Sequence, residues 1–108
     1  KKSIISKNSV KVTNGMVIKG GITTHKTLVV EANSIIHGNI FAEKSIYIGK
    51  NVKVYGTIFT QESIDISEFV EIGIKDKIKS VIAKENITIG NNSVIYGYVS
   101  CERKGRTI

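Results

Sequence analysis

Apolar and polar residues alternate along this chain in short runs. Val10, Val12, Met16, Ile18 and Ile22 form one such run. A period of two puts successive side chains on opposite faces of a strand. The runs also recur. Residues 10–22 read VKVTNGMVIKGGI, residues 28–40 read LVVEANSIIHGNI and residues 46–58 read IYIGKNVKVYGTI, each block starting eighteen residues after the last. A fourth opens as IDISEFVEI at 64–72, again eighteen later, and a fifth, ITIGNNSVIYGYV at 87–99, starts twenty-three later. Five extra residues therefore enter between the last two blocks, and the pattern places them within Ile74 to Ser80.

Stacking the blocks produces columns of like residues. One is Val10, Leu28, Ile46, Ile64 and Ile87; a second is Val12, Val30, Ile48, Ile66 and Ile89. A third is Ile18, Ile36, Val54, Ile72 and Ile95, and a fourth is Ile22, Ile40, Ile58, Val81 and Val99. A small-residue column follows: Ser6, Thr24, Ala42, Thr60, Ala83 and Cys101. Gly20, Gly38, Gly56 and Gly97 align, and the fourth block lacks this glycine. Asn33, Asn51 and Asn92 align behind Gly15, and these residue types tolerate left-handed backbone, so the column predicts a corner. Val12, Ile18 and Thr24 lie six apart, as do Ile48, Val54 and Thr60. Eighteen residues in three runs of six describe a triangular coil whose sides pair in parallel with the same sides of the next coil. The expected fold is all-β: a single-domain parallel β-helix over residues 4–101, with a basic N-terminal tail at 1–3 and a C-terminal tail at 102–108. One coil cannot bury its own apolar face, so stability must come from stacking neighbours.

Composition agrees. Twenty Ile and eleven Val stand against one Leu and three Ala, a choice that favours strands and excludes a helix bundle or coiled coil. No apolar run approaches the ~20 residues of a membrane-spanning helix, and no signal-peptide pattern is expected at the start. A lone Cys makes no internal disulfide, and no Cys/His spacing suits zinc. Charge is uneven: of a net +7, residues 1–30 carry six Lys and no acid, while the other 78 residues carry ten bases and nine acids. A basic end fits an anionic lipid or cell-wall polymer, or simply a solvated lysine-rich surface. Nucleic acid is not expected, because no aromatic-plus-basic motif accompanies the charge.

Catalytic chemistry finds little support. Two histidines, His25 and His37, cannot complete a three-His zinc site. His37 stacks with Lys19 and Tyr55 in an outward column. Cys101 continues a small-residue column, which predicts a packed thiol rather than a nucleophile. Glu62, Asp65, Glu68 and Glu71 gather in the fourth block as a solvated face rather than an acid/base pair. No glycine loop suits a phosphate. The expectation is a protein that is not an enzyme, with no catalytic, cofactor or metal residues and no small-molecule substrate. Phe41 and Phe59 are eighteen apart, as are His37 and Tyr55, and both pairs alternate outward. They form either a stiffening ladder or a lateral or partner-binding surface.

The chain resembles the bactofilins, polymer-forming cytoskeletal proteins of bacteria. The resemblance rests on the recurring aliphatic-x-Gly-x-Ile element at IKGGI, IHGNI, VYGTI and IYGYV, on the I-x-I-G-x-N run at 46–51, and on the length of the domain. It covers roughly residues 4–101. It implies a right-handed β-helix that assembles end to end without nucleotide, in the cytoplasm or peripherally at the inner membrane, organising cell-shape or cell-wall machinery. Its partners would be further copies of itself and, beyond them, an anionic membrane surface or cell-wall enzymes. Lys1, Lys2, Ile4 and Ile5 are the candidate membrane contacts. The missing Gly, the insertion and the lack of Pro-rich flanks depart from the family pattern. A β-helix has two open ends whose unpaired backbone groups template further pairing. The candidate polymerisation contacts are Ile4, Val10 and Val12 at one end and Ile95, Tyr98, Val99 and Cys101 at the other. The alternatives are terminal segments that fold over and cap the ends, a trimmed hexapeptide-repeat acyltransferase, and a carbohydrate-binding or cell-wall surface module.

Overall fold

The computed structural model describes residues 3–102. The first coil contains β1 (Ile4–Ser6), β2 (Val10–Val12) and β3 (Val17–Ile18). The second contains β4 (Ile22–Thr24), β5 (Leu28–Val30) and β6 (Ile35–Ile36), and the third β7 (Ile40–Ala42), β8 (Ile46–Ile48) and β9 (Lys53–Val54). Then come β10 (Ile58–Thr60), β11 (Ile64–Ile66) and β12 (Glu71–Ile72), followed by β13 (Lys79–Ala83), β14 (Ile87–Ile89) and β15 (Val94–Ile95); β16 (Gly97–Cys101) lies over β13. Among the described residues there is no helix.

Every third strand joins the same sheet. One sheet has six strands in the order β1-β4-β7-β10-β13-β16, and the other two have five each, β2-β5-β8-β11-β14 and β3-β6-β9-β12-β15. All of these pairings are parallel. Their register sets like on like: Ile22 against Ile40, Leu28 against Ile46, Ile36 against Val54. The chain is thus a β-solenoid of about five coils, and the columns read from the sequence are the columns of the structure. Connections of a few residues suffice because each parallel partner lies one full lap away. The usual long crossover of a parallel pair is here replaced by the other two sides of the triangle.

The bore is filled by these columns. Ile18, Ile22, Leu28, Ile36, Ile40, Ile46, Ile48, Ile58, Ile64, Ile66 and Ile72 are all buried, as are Val52 and Val70 from a column the repeat left unmarked. Buried aliphatics contribute roughly 1.5–3 kcal/mol each. Small polar residues sit inside only where they complete the backbone. Thr24 and Thr60 are buried, and their hydroxyls donate to the carbonyls of Asn8 and Lys44 across a corner. The same hydroxyls accept from the backbone N–H groups of Lys26 and Glu62, at 3.1 and 3.2 Å. No buried side-chain polar atom among the described residues lacks a partner.

The predicted corner is real: Gly15, Asn33, Asn51 and Asn92 all have positive φ, between 61° and 77°. Phe69 stands in the same column with φ 58° and half its surface exposed. An L residue with a bulky side chain pays a conformational penalty there that Asn reduces and Gly avoids. At the glycine column, coils approach so closely that a Cβ at Gly56 would meet the backbone of Gly38.

The insertion falls within its expected bounds: Gly73 keeps the place of Tyr55 and Lys79 that of Gly56, so the five extra residues are 74–78. Ile72 still pairs with Ile95, twenty-three residues on, whereas Lys79 pairs with Gly97, eighteen on, so the extra residues lie between Ile72 and Lys79. Gly73, at φ 78°, turns the chain outward, and Ile74 and Lys77 then bond to each other's backbone in a small hairpin. The glycine column is restored at Gly97, and in the fourth coil Lys79 occupies it.

Two outcomes are expected from chemical denaturation. Ile48→Ala leaves a hole in the central coil and lowers stability by about 2–5 kcal/mol. Phe69→Asn relieves the left-handed strain and raises stability by about 0.5–1 kcal/mol; a loss on that substitution would mean that the ring supplies packing that outweighs its backbone cost.

Candidate functional site at the ends of the coil

The strands of a solenoid are paired on both sides except in its terminal coils. Among the described residues β14, β15 and β16 each have a partner on one side only, and so do β1, β2 and β3. The two ends differ in how far their side chains are covered. Ile89 and Val99 are 42% and 46% exposed, whereas Ile66 and Val81, below them in the same columns, are 1% and 0% exposed. Residue type and direction are alike within each column. The difference is the absence of a coil above. Ile87 and Ile95 are partly buried against the core, and Tyr98 is 68% exposed on the outer side of β16.

Cys101 lies on this open face too. Its thiol is exposed and donates to the carbonyl of Glu85. The packed thiol expected from its column is therefore corrected: the column ends at Cys101, and no coil among the described residues closes over it.

At the N-terminal end, Ile4 and Val10 are partly buried against the core. Val12 is 1% exposed and Ile18 fully buried, although both belong to the first coil. Val12 is accordingly removed from the contact set, because its side chain is already covered within the bore. Met16, in the inward column of Ser34, Val52 and Val70, is 38% exposed at this end. Among the described residues both ends show inward apolar side chains, and Ile89 and Val99 of the last coil are the more exposed. The candidate contacts that remain accessible are Ile4 and Val10 at one end and Ile95, Tyr98, Val99 and Cys101 at the other.

The candidate membrane contacts divide. Ile4 pairs with Ile22 and packs on the core, which holds it in the coil, while Ile5 points outward and is 81% exposed. Lys1 and Lys2 lie outside the described residues, as does most of the 102–108 tail, so the capping alternative falls there too. No helix of the described residues is long and apolar enough to cross a membrane.

Both outer ring pairs form. Phe41 and Phe59 stack with centroids 5.3 Å apart and planes 14° from parallel, and both are half-buried. His37 and Tyr55 meet at the same 5.3 Å but are tilted by 39°. Phe41 and Phe59 belong to an outer column that also holds Ile5, Thr23, Ile82 and Ser100. The His37–Tyr55 pair lies on another face, beside the insertion hairpin.

The fourth-coil carboxylates are more than a solvated face. Glu62, Glu68 and Glu71 reach down to Lys44, Lys50 and Lys53 at 3.6, 3.8 and 3.9 Å, each eighteen residues earlier. Glu31 meets Lys11 at 3.7 Å, and Glu43 meets His25 Nδ1 at 2.7 Å. The basic residue lies one coil below the acid in every pair. The spacing was present in the sequence and could have shown most of these pairs. Exposed pairs of this kind contribute about 0–1 kcal/mol each, so they steady the register rather than hold the fold. Asp65 points outward and is exposed.

No protein-family model, curated protein or solved structure matches this chain.

The outer phenylalanines supply a direct test of lateral association. Phe41→Ser combined with Phe59→Ser is expected to abolish side-by-side bundles in electron micrographs while single assemblies persist. A fall in melting temperature with bundles intact would show that the stack only stiffens the coil.

Proposed function

We propose that this protein is a self-assembling scaffold that polymerises end to end without nucleotide, in the manner of the bactofilins it resembles. One observation carries the reading. The inward columns stop abruptly at the last coil, leaving Ile89 and Val99 more than two-fifths exposed where the equivalent residues one lap earlier are covered. A second copy seated there would bury these side chains and pair the free edges of β14, β15 and β16 in one step. Apolar burial would drive the association and the open strands would direct it. Neither step calls on a cofactor.

The cellular setting follows the same resemblance. The scaffold would lie in the cytoplasm of a bacterium, organising cell-shape or cell-wall machinery. The lysines of residues 1–30, together with exposed Ile5, would suit contact with an anionic inner membrane face. The stacked phenylalanines would offer a flank for bundling or for a partner enzyme.

Electron microscopy of the purified chain tests the reading: long unbranched filaments are expected. Val99→Glu places a charge in the seam and should raise the concentration needed for assembly by about 100-fold or more, leaving folded monomers by circular dichroism. Assembly that is unchanged in Val99→Glu and in Ile95→Glu would remove the end contact. Compact trimers that bind acyl-CoA would instead establish the hexapeptide-type enzyme.

A further inference from the structure

The regular coils leave one irregular place, and chemistry gathers there. The insertion hairpin, residues 73–78, rises from the column that carries Tyr55 and His37 one and two coils below. Together with Lys79 it encloses an open hollow of about 560 Å³ lined by His37, Tyr55, Ile74, Lys77 and Lys79. That volume is in the range of small-molecule sites. In repeat proteins such insertions fall on one face, often the binding face.

Two features of the hollow have no use in holding the fold. Lys79 stands in a column that is otherwise glycine, where the backbones of successive coils approach closely. Gly97, at φ 150°, lies so close over Lys79 that a Cβ there would strike the Lys79 carbonyl. The chain therefore accommodates a lysine where its own repeat disfavours one, a local breach typical of functional positions. Second, the ion pairs along the coil use Lys11, Lys44, Lys50, Lys53 and His25, and among the described residues none uses Lys77 or Lys79. The hairpin carries Lys75 and Lys77 with a single acid, Asp76, and Glu71 nearby is already engaged by Lys53. Two lysines outside the ion pairs of the described residues thus line the hollow together with two rings and an aliphatic side chain.

We propose that this hollow binds a phosphate group carried on a flat or apolar body. Lys77 and Lys79 would balance the near-double negative charge of a phosphate monoester as point charges. The exposed imidazole of His37 adds a hydrogen-bonding group, and the Tyr55 ring and Ile74 take the apolar body. The site is independent of end-to-end assembly, because its residues lie on the side of the coil.

Phenyl phosphate, followed by equilibrium dialysis against the full chain, is the soluble probe. It is expected to bind at roughly millimolar strength, with phenol and inorganic phosphate each about tenfold weaker or more. Lys77→Gln with Lys79→Gln should weaken it about tenfold or more, while Lys26→Gln, on another part of the coil, should leave it unchanged. Flotation with phosphatidylcholine vesicles carrying phosphatidic acid separates the sources: capture that needs Lys77 and Lys79 assigns the phosphate to a lipid headgroup, and binding in solution alone assigns it to a soluble ester. Binding in neither assay, or binding indifferent to the double substitution, overturns the proposal. Filaments of the double variant are expected to match the wild type, so a failed site and a failed scaffold remain distinguishable.

Discussion

Parallel, in-register stacking of like side chains is the interaction on which the rest of this structure depends. Each strand is two to five residues long, too short to be stable alone or as a hairpin. Its hydrogen bonds go to the coils before and after it, and its inward side chains lie against identical or near-identical neighbours. Ile and Val suit this arrangement because their stiff, branched side chains fill a narrow bore without rotamer freedom to lose. A residue is acceptable if it matches the column, whatever its neighbours along the chain.

That dependence makes the ends unlike the middle. A coil inside the stack is paired on both sides; among the described residues a terminal coil keeps unpaired strand edges and less covered aliphatics. The two ends are not equivalent. Val12 and Ile18 are already closed in, while Ile89 and Val99 are not. A stack held together by repetition therefore offers, at its last described coil, the same kind of surface that each internal coil offers to the next. In the proposed scaffold, self-association would be an extension of folding rather than a separate device.

The departures from repetition are equally informative. Phe69 takes a left-handed corner that its column otherwise gives to Asn and Gly, and Lys79 takes a place in a glycine column. In a fold whose logic is likeness, an unlike residue has to be accommodated by something local. Beside Lys79 the hairpin that begins after Gly73 leaves the coil, and Lys77 and Lys79, in no ion pair among the described residues, line a hollow with His37 and Tyr55. The ion pairs show the opposite behaviour, following the eighteen-residue spacing and reinforcing register at little energetic weight.

How much could be read in advance follows from which properties are periodic. The repeat by itself determined the triangular coil, the parallel pairing, the four aliphatic columns, the left-handed corner at Asn33, Asn51 and Asn92, and the outward direction of Phe41, Phe59, His37 and Tyr55. Each of these is set by a residue's place in its lap, and that place is countable. The spacing also contained the Lys44–Glu62, Lys50–Glu68 and Lys53–Glu71 pairs. Only the tertiary structure decided that Val12 is covered while Val99 and Cys101 are open, because exposure at an end depends on which way the next coil lies. The repeat also located the insertion, but only the tertiary structure folded it into a hairpin beside His37 and Tyr55. A non-repeating segment has no column to copy, so its position is settled by contacts in space rather than by counting along the chain.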